Sequence, residues 1–341
     1  MTTLGIIWFI LIFVLIIGYF ALDGFDLGAG VLYPILGKTE RSKKIIMRAI
    51  GPVWDGNEVW LLTAGGALFA AFAPAYATSF SGFYLAIMLV LMGLIVRCVA
   101  IGYGGHGNGG KLVDGAFFAG SLLPALLFGV AVGDVIAGIP LAQNGDYTGT
   151  FFDLLTPFAL CCGVLGLLHM TLQGACWLAA KAPEGDELQV KAAGLRKPLA
   201  LASLVVFLLA TVLFKMTVVP VSSVGMDMNI VAIVAAVLYL GSLLYIAFAS
   251  GVKDFILPVI AGVGCAALVI VWAGTAFPYF IPASNDPLLS ITIASAAGSE
   301  LTLMTMAIIA AVGVPLVLFY HVLVYRAFRG RVTDEDLTEG Y

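Results

Sequence analysis

Four acidic residues stand in stretches otherwise apolar enough to cross a bilayer. Asp23 and Asp26 lie in ALDGFDLGAG, and Asp55 and Glu58 lie in GPVWDGNEVWLLTAGG. Each pair is three residues apart, a spacing that puts both carboxyls on one face of a helix. Ionisable groups at membrane depth are costly and face a bundle interior or a water path, so their default reading is functional. No basic residue is an obvious partner for these four in the sequence. Carboxyls in such a setting exchange protons, and the four together resemble a proton path from one side of the membrane. The alternative is structural: protonated acids, or acceptors for free N–H groups at a helix start. Trp54 and Trp60 bracket the second pair. They would line a quinone or gas path, or else pack against neighbouring helices.

The other chemistry-bearing residues are sparse. The three histidines are His106, His169 and His321. His169 lies in GLLHMTLQGACW with Gln173 one turn along the same face. A lone imidazole there could ligate haem iron, but without a second ligand a hydrogen bond across a helix interface is the reading preferred. His321 falls near the end of the last apolar run and reads as interfacial. The cysteines, Cys98, Cys161, Cys162, Cys176 and Cys265, form no CxxC pair and read as packing residues, with neither disulfides nor a metal site. The stretch 102–111, GYGGHGNGGK, is Gly-rich but lacks the GxxxxGK[ST] spacing of a phosphate loop.

The elements that position these residues follow from composition. Of 341 residues, 62% are hydrophobic and only 11% charged, with a mean hydropathy of +1.09. These values define a polytopic membrane protein, and the continuous rather than alternating apolar runs define it as all-α. No basic stripe suits nucleic acid, and the first apolar run has no basic segment before it, so it reads as a retained span. At ~20 apolar residues per span, nine helices are predicted, near 4–36, 51–73, 77–102, 114–137, 152–181, 197–219, 229–250, 254–276 and 302–328. The first and fifth exceed the length a span needs. With the N-terminus outside, fifteen of the sixteen Lys and Arg residues fall on the cytoplasmic side, Arg97 and Lys111 among them, and only Lys215 falls outside. The positive-inside rule therefore places the C-terminus in the cytoplasm. Residues 1–341 form one transmembrane domain, with approximate halves 1–137 and 152–276 as two four-helix bundles and 302–328 as a ninth helix. The loop 278–300, poor in charge, is predicted to fold over the outer surface.

Several stretches resemble subunit II of cytochrome bd quinol oxidase: DGFDLGAG, PVWDGNEVWLLTAGGALFAAF, SFSGFYLAIMLVL, GSLLPALLFGVAVG, TAFPYFIPAS, SELTLMTM and GRVTDEDL. The resemblance covers nearly the whole chain. It implies a subunit of a non-pumping, electrogenic terminal oxidase of a prokaryotic cytoplasmic membrane, which oxidises quinol and reduces oxygen to water. It implies two b-type haems and one d-type haem on a partner, subunit I, and none on this chain, which would support assembly and haem retention. Small accessory subunits, membrane lipids and a structural quinone accompany some members. By the same resemblance Asp55 supplies protons towards the haem site and Trp60 stands near an oxygen path. The family's aromatic–acidic–aromatic–Arg run after the third helix is missing here, where CVAIGYGGHGNGGK follows Arg97. The competing reading is a proton-coupled transporter with two repeated halves; a third is a scaffold without chemistry of its own.

Overall fold

The computed structural model describes residues 1–105, 110–248 and 251–337. Its first helix, α1 (Thr3–Leu36), opens where the Thr2 hydroxyl accepts the Gly5 N–H at 3.1 Å. At 34 residues it is ~51 Å long, so it crosses a bilayer core and projects beyond it. A short amphipathic helix follows, α2 (Glu40–Ile50), started by a reciprocal Thr39–Ser42 capping box. Its Ile45, Ile46, Met47 and Ile50 are buried while Lys44 stays in solvent, as befits a helix lying at an interface. No span is predicted between residues 36 and 51, because the mostly apolar run at 45–50 is too short for one.

The chain then builds α3 (Trp54–Ala71), α4 (Ala73–Gly82), α5 (Tyr84–Gly105) and α6 (Lys111–Ala137). The run predicted over 77–102 is thus broken at Phe83. Next come α7 (Pro157–Lys181), α8 (Glu187–Leu213), α9 (Ile230–Phe248), α10 (Ile256–Ala276), a single turn α11 (Ile293–Ala296) and α12 (Glu300–Ala327). Among the described residues eight helices are long and apolar enough to cross a membrane; α3, at 18 residues with Asp55, Asn57 and Glu58 in its first turns, is not one of them. The fifth predicted run starts late because Thr156 caps α7 and Pro157 occupies its first position. The long helix is instead the next one, which runs with its terminal π and 3-10 turns from Glu187 to Val221. Length therefore does not pair the first run with the fifth.

Packing explains the small residues. α1 lies against α3, α6, α7 and α10, while α5 packs on α6, and α8 and α10 pack on both α7 and α9. Gly28 of α1 and Gly174 of α7 face each other so closely that a Cβ on either would overlap the other backbone, the close approach that small residues allow in membranes. α12 is peripheral, with only Leu303 and His321 buried along its length.

The two ends of the bundle differ. At one end gather the basic residues: Lys43 pairs with Asp114 at 2.8 Å, Arg48 with Asp336 at 3.1 Å, and Arg196 and Arg331 both reach Asp254 at 2.8 Å. At the other end β1 (Tyr279–Ile281) and β2 (Ile291–Thr292) form a two-stranded antiparallel hairpin within the loop predicted to fold back. The Trp8 indole anchors this end by donating to Leu303 O at 2.9 Å.

Candidate functional site

The centre of the molecule is an ionic cluster built from α1, α3 and α5. Asp23 and Asp26 sit on the inner face of α1, both fully buried. Arg97 reaches them from α5 and is itself fully buried. It can do so because α5 lies tight on α6: a Cβ at Gly120 would stand 2.7 Å from Arg97 N. Arg97 Nη2 donates to Asp23 Oδ1 at 2.7 Å and also to Glu58 Oε1. This corrects two expectations. The acids do have a basic partner, and Arg97 is not a cytoplasmic loop charge but part of a helix interior.

Asp26 has a different, neutral partner. Asn57 Nδ2 donates to Asp26 Oδ2 at 2.8 Å and to Leu22 O at 3.2 Å. Tyr325 of α12 donates its hydroxyl to Asn57 Oδ1 at 2.9 Å, so the amide is fixed from both sides. Asn57 is fully buried. Around the cluster several buried polar atoms have no protein partner among the described residues: Tyr19 OH, Asp23 Oδ2, Asp26 Oδ1, and Nε and Nη1 of Arg97. Buried groups of this kind are ordinarily satisfied by water, and five such atoms gather in this part of the bundle.

Asp55 and Glu58, though on one helix, do not share an environment. Glu58 is drawn inward by Arg97 yet keeps 23% side-chain exposure. Asp55 is exposed on the uncovered face of α3 and makes no ion pair among the described residues. The structure therefore brings Asp23, Asp26 and Glu58 together around Arg97 and Asn57, and leaves Asp55 at the rim.

Trp54 and Trp60 are also separated. Trp60 is buried in the apolar cluster containing Trp8 and Phe72, whereas Trp54 packs with Ile45, Ile50 and their neighbours near the basic end. The Trp60 ring fills the space over Gly18, and its Nε1 donates to His321 Nε2 at 3.1 Å. His321 Nδ1 lies 2.9 Å from Val317 O, which makes it a donor there and leaves Nε2 as the acceptor. His321 is thus an interior residue rather than an interfacial one. His169 is likewise engaged: Nε2 lies 3.1 Å from Ala261 O and Nδ1 lies 3.4 Å from Tyr239 OH. Both rings are oriented by protein groups on both nitrogens, a poor fit to an axial haem ligand. His106 and residues 107–109 of the Gly-rich stretch lie outside the described residues. Among the described residues no group of three or more His, Cys, Asp or Glu side chains is arranged to hold a metal ion.

An apolar cavity of about 140 Å³ opens between α1, α6, α7, α8 and α10, lined by Phe20, Phe128, Phe207 and Trp272, with His169 in its wall. Neither Trp54 nor Trp60 borders it.

A bundle of long apolar helices with the buried Arg97 paired to Asp23 and Glu58 in its interior defines an integral membrane protein. The comparisons make this specific. The profile described as "Cytochrome bd terminal oxidase subunit II" matches residues 4–328, and the chain belongs to that family. It is 36% identical to "Probable cytochrome oxidase subunit 2" of Haemophilus influenzae, over 96% of this chain and 95% of that one. It is 35% identical to "Cytochrome bd-I ubiquinol oxidase subunit 2" of Escherichia coli strain K12, over 98% of this chain and 96% of that one. In fold it matches a chain of the bd oxidase structure from Geobacillus thermodenitrificans, with a TM-score of 0.76 at 17% identity, covering 96% of this chain and 99% of that chain. The chain is thus a multi-pass inner-membrane subunit of a bacterial oxidoreductase.

Proposed function

We propose that this chain is the haem-free second subunit of a quinol:oxygen oxidoreductase, and that its rim carboxyls deliver protons from the cytoplasm to a haem-bearing partner, subunit I. The observation that carries this is the placement of Asp55, exposed on α3 beside Glu58 and the buried Arg97 cluster. A carboxylate facing lipid at this depth would be costly, so a protein partner is the natural cover for that face. In this reading Asp55 and Glu58 carry protons. Arg97, held by Asp23, fixes the position of Glu58, and Asn57, held by Tyr325, fixes Asp26. Trp60 and Trp54 anchor α3 by packing.

The d-type and b-type haems would supply oxygen reduction and electron transfer on the partner. The engaged nitrogens of His169 and His321 support that division. A structural quinone would lie in the apolar cavity of about 140 Å³. The two four-helix groups would be α1, α3, α5 and α6, then α7 to α10, joined by close packing of α1 and α6 on α7, with α12 outside both. Accessory subunits and lipids would complete the complex. A proton-coupled transporter is disfavoured, because the acids sit on one group of helices and at one level.

The test is haem partition. Pyridine haemochrome analysis of the isolated chain should give far less than one haem per chain, and the complex co-purified with its partner should carry the full set. One haem per isolated chain, lost in His169→Ala, would reject the haem-free assignment.

A further inference from the structure

A second cavity, of about 180 Å³, lies at the basic end of the bundle beneath the C-terminal segment. α2, the start of α3, the end of α7 and the end of α12 enclose it, and Arg48, Lys181, Arg331 and Asp336 are its charged lining. The segment after α12 is strapped across it. Val332 N donates to Lys181 O at 2.7 Å, and Arg331 Nη1 donates to Ala179 O and Ala182 O at 2.9 and 2.7 Å.

The three cations differ in how fully they are used. Arg331 is spent on those carbonyls and on Asp254. Arg48 gives one Nη2 contact to Asp336 at 3.1 Å, leaving the rest of its donor fork. Lys181 is only 7% exposed, and its ammonium donates to Phe328 O and Gly330 O. It has no carboxylate within ion-pair distance among the described residues. The ammonium also stands 5.0 Å over the Trp177 ring, but neither the carbonyls nor the ring supplies a full counter-charge, which an anion would.

The cavity also borders the membrane. Ala327 and Phe328 of its wall belong to the end of α12, the peripheral helix, and Phe328 is 44% exposed with Leu323 50% exposed one turn before it. A ligand with an anionic head and apolar chains matches both surfaces. Basic pockets between helix ends on the cytoplasmic side are a recurrent setting for such headgroups.

We propose that this cavity binds the phosphate of an anionic glycerophospholipid, with Lys181 and Arg48 as its ligands and the outer face of α12 as the track for its acyl chains. Asp336, the one acid lining the cavity, shares Arg48 and sets the charge the headgroup must offset.

The experiment uses the complete oxidase complex, delipidated and re-supplied with dioleoylphosphatidylglycerol, dioleoylphosphatidylcholine or inorganic phosphate, with bound species counted by native mass spectrometry. Wild type should retain one more phosphatidylglycerol than Lys181→Gln at matched lipid. At ~1 kcal/mol per basic residue, each substitution should weaken retention roughly five-fold. Lys181→Arg should restore it. Arg48→Gln should weaken it as Lys181→Gln does, whereas Asp336→Asn, which breaks the same Arg48–Asp336 strap contact but removes a negative charge, should not weaken it and so separates headgroup loss from strap disruption. Equal retention in wild type and both Gln variants would overturn the site. Equal retention of phosphatidylcholine would overturn its anion selectivity, and displacement by excess inorganic phosphate would overturn its assignment to lipid.

Discussion

Removing Arg97 should damage this protein more than removing either of its carboxylate partners. Arg97 and Asp23 are both fully buried and 2.7 Å apart. At an effective dielectric of ~20 that separation corresponds to ~6 kcal/mol of attraction, opposed by several kcal/mol of lost hydration for each ion. The pair therefore adds little against an apolar replacement of both. Breaking it from one side is different, because an uncompensated buried charge costs ~3–5 kcal/mol. Arg97→Gln strands Asp23 and Glu58 together, whereas Asp23→Asn leaves Arg97 paired with Glu58. The Asn variant should lose only ~1–2 kcal/mol, the scale of an altered hydrogen bond. In the double variant the two losses should not add, with a coupling of ~1–3 kcal/mol. The assay is thermal unfolding of the detergent-solubilised complex by tryptophan fluorescence, together with the fraction of chain recovered with its partner. The order of stability should be wild type, Asp23→Asn, then Arg97→Gln, with the double variant no worse than Arg97→Gln. Wild-type melting in Arg97→Gln, or strictly additive losses, would refute the ion-pair account.

Two further outcomes follow from the basic end. Burial alone would raise the Asp254 carboxyl, but hydrogen bonds from Arg331, Arg196 and Gln189 together hold it below the ordinary carboxylate value. A depressed folded value stabilises the protein fully above about pH 4, and that stabilisation is lost as the pH falls through the folded value. The melting-temperature gap between wild type and Asp254→Asn should thus be widest near neutrality and narrow on acidification; a gap independent of pH would contradict it. The gathering of ion pairs at this end predicts that it is cytoplasmic, so a reporter fused after Tyr341 should behave as cytoplasmic, and a phosphatase-active fusion would reverse the orientation.

The all-helical membrane architecture was readable because a membrane span is a length of apolar chain. Of the nine lengths predicted from the sequence, eight correspond to helices long and apolar enough to span among the described residues, and the second corresponds to the shorter, acid-bearing α3. What composition could not show was geometry between distant residues. Arg97 looked like a charge at the margin of an apolar run, and only the fold reveals that it pairs across 74 residues with Asp23. Tyr325, an ordinary aromatic in an apolar run, carries no sign that it fixes Asn57. The three-residue spacing of Asp55 and Glu58 correctly implies a shared helix face, but which edge of that face is covered depends on α5 and α1. The amphipathic α2 escaped because its mostly apolar run at 45–50 is short and follows a charged first turn, so a span-length window that averages hydropathy hides it.

The proton role of the rim is tested most directly by quinol-driven oxygen consumption, measured per d-type haem in the assembled oxidase carrying Asp55→Asn. The substitution keeps size and hydrogen bonding and removes the titrating group. If Asp55 delivers protons in the rate-limiting step, turnover per haem should fall ~10-fold or more, equivalent to ~1.4 kcal/mol of barrier, while haem content stays near wild type. Unchanged turnover per haem, or a loss of activity that only tracks a loss of haem, would contradict the account.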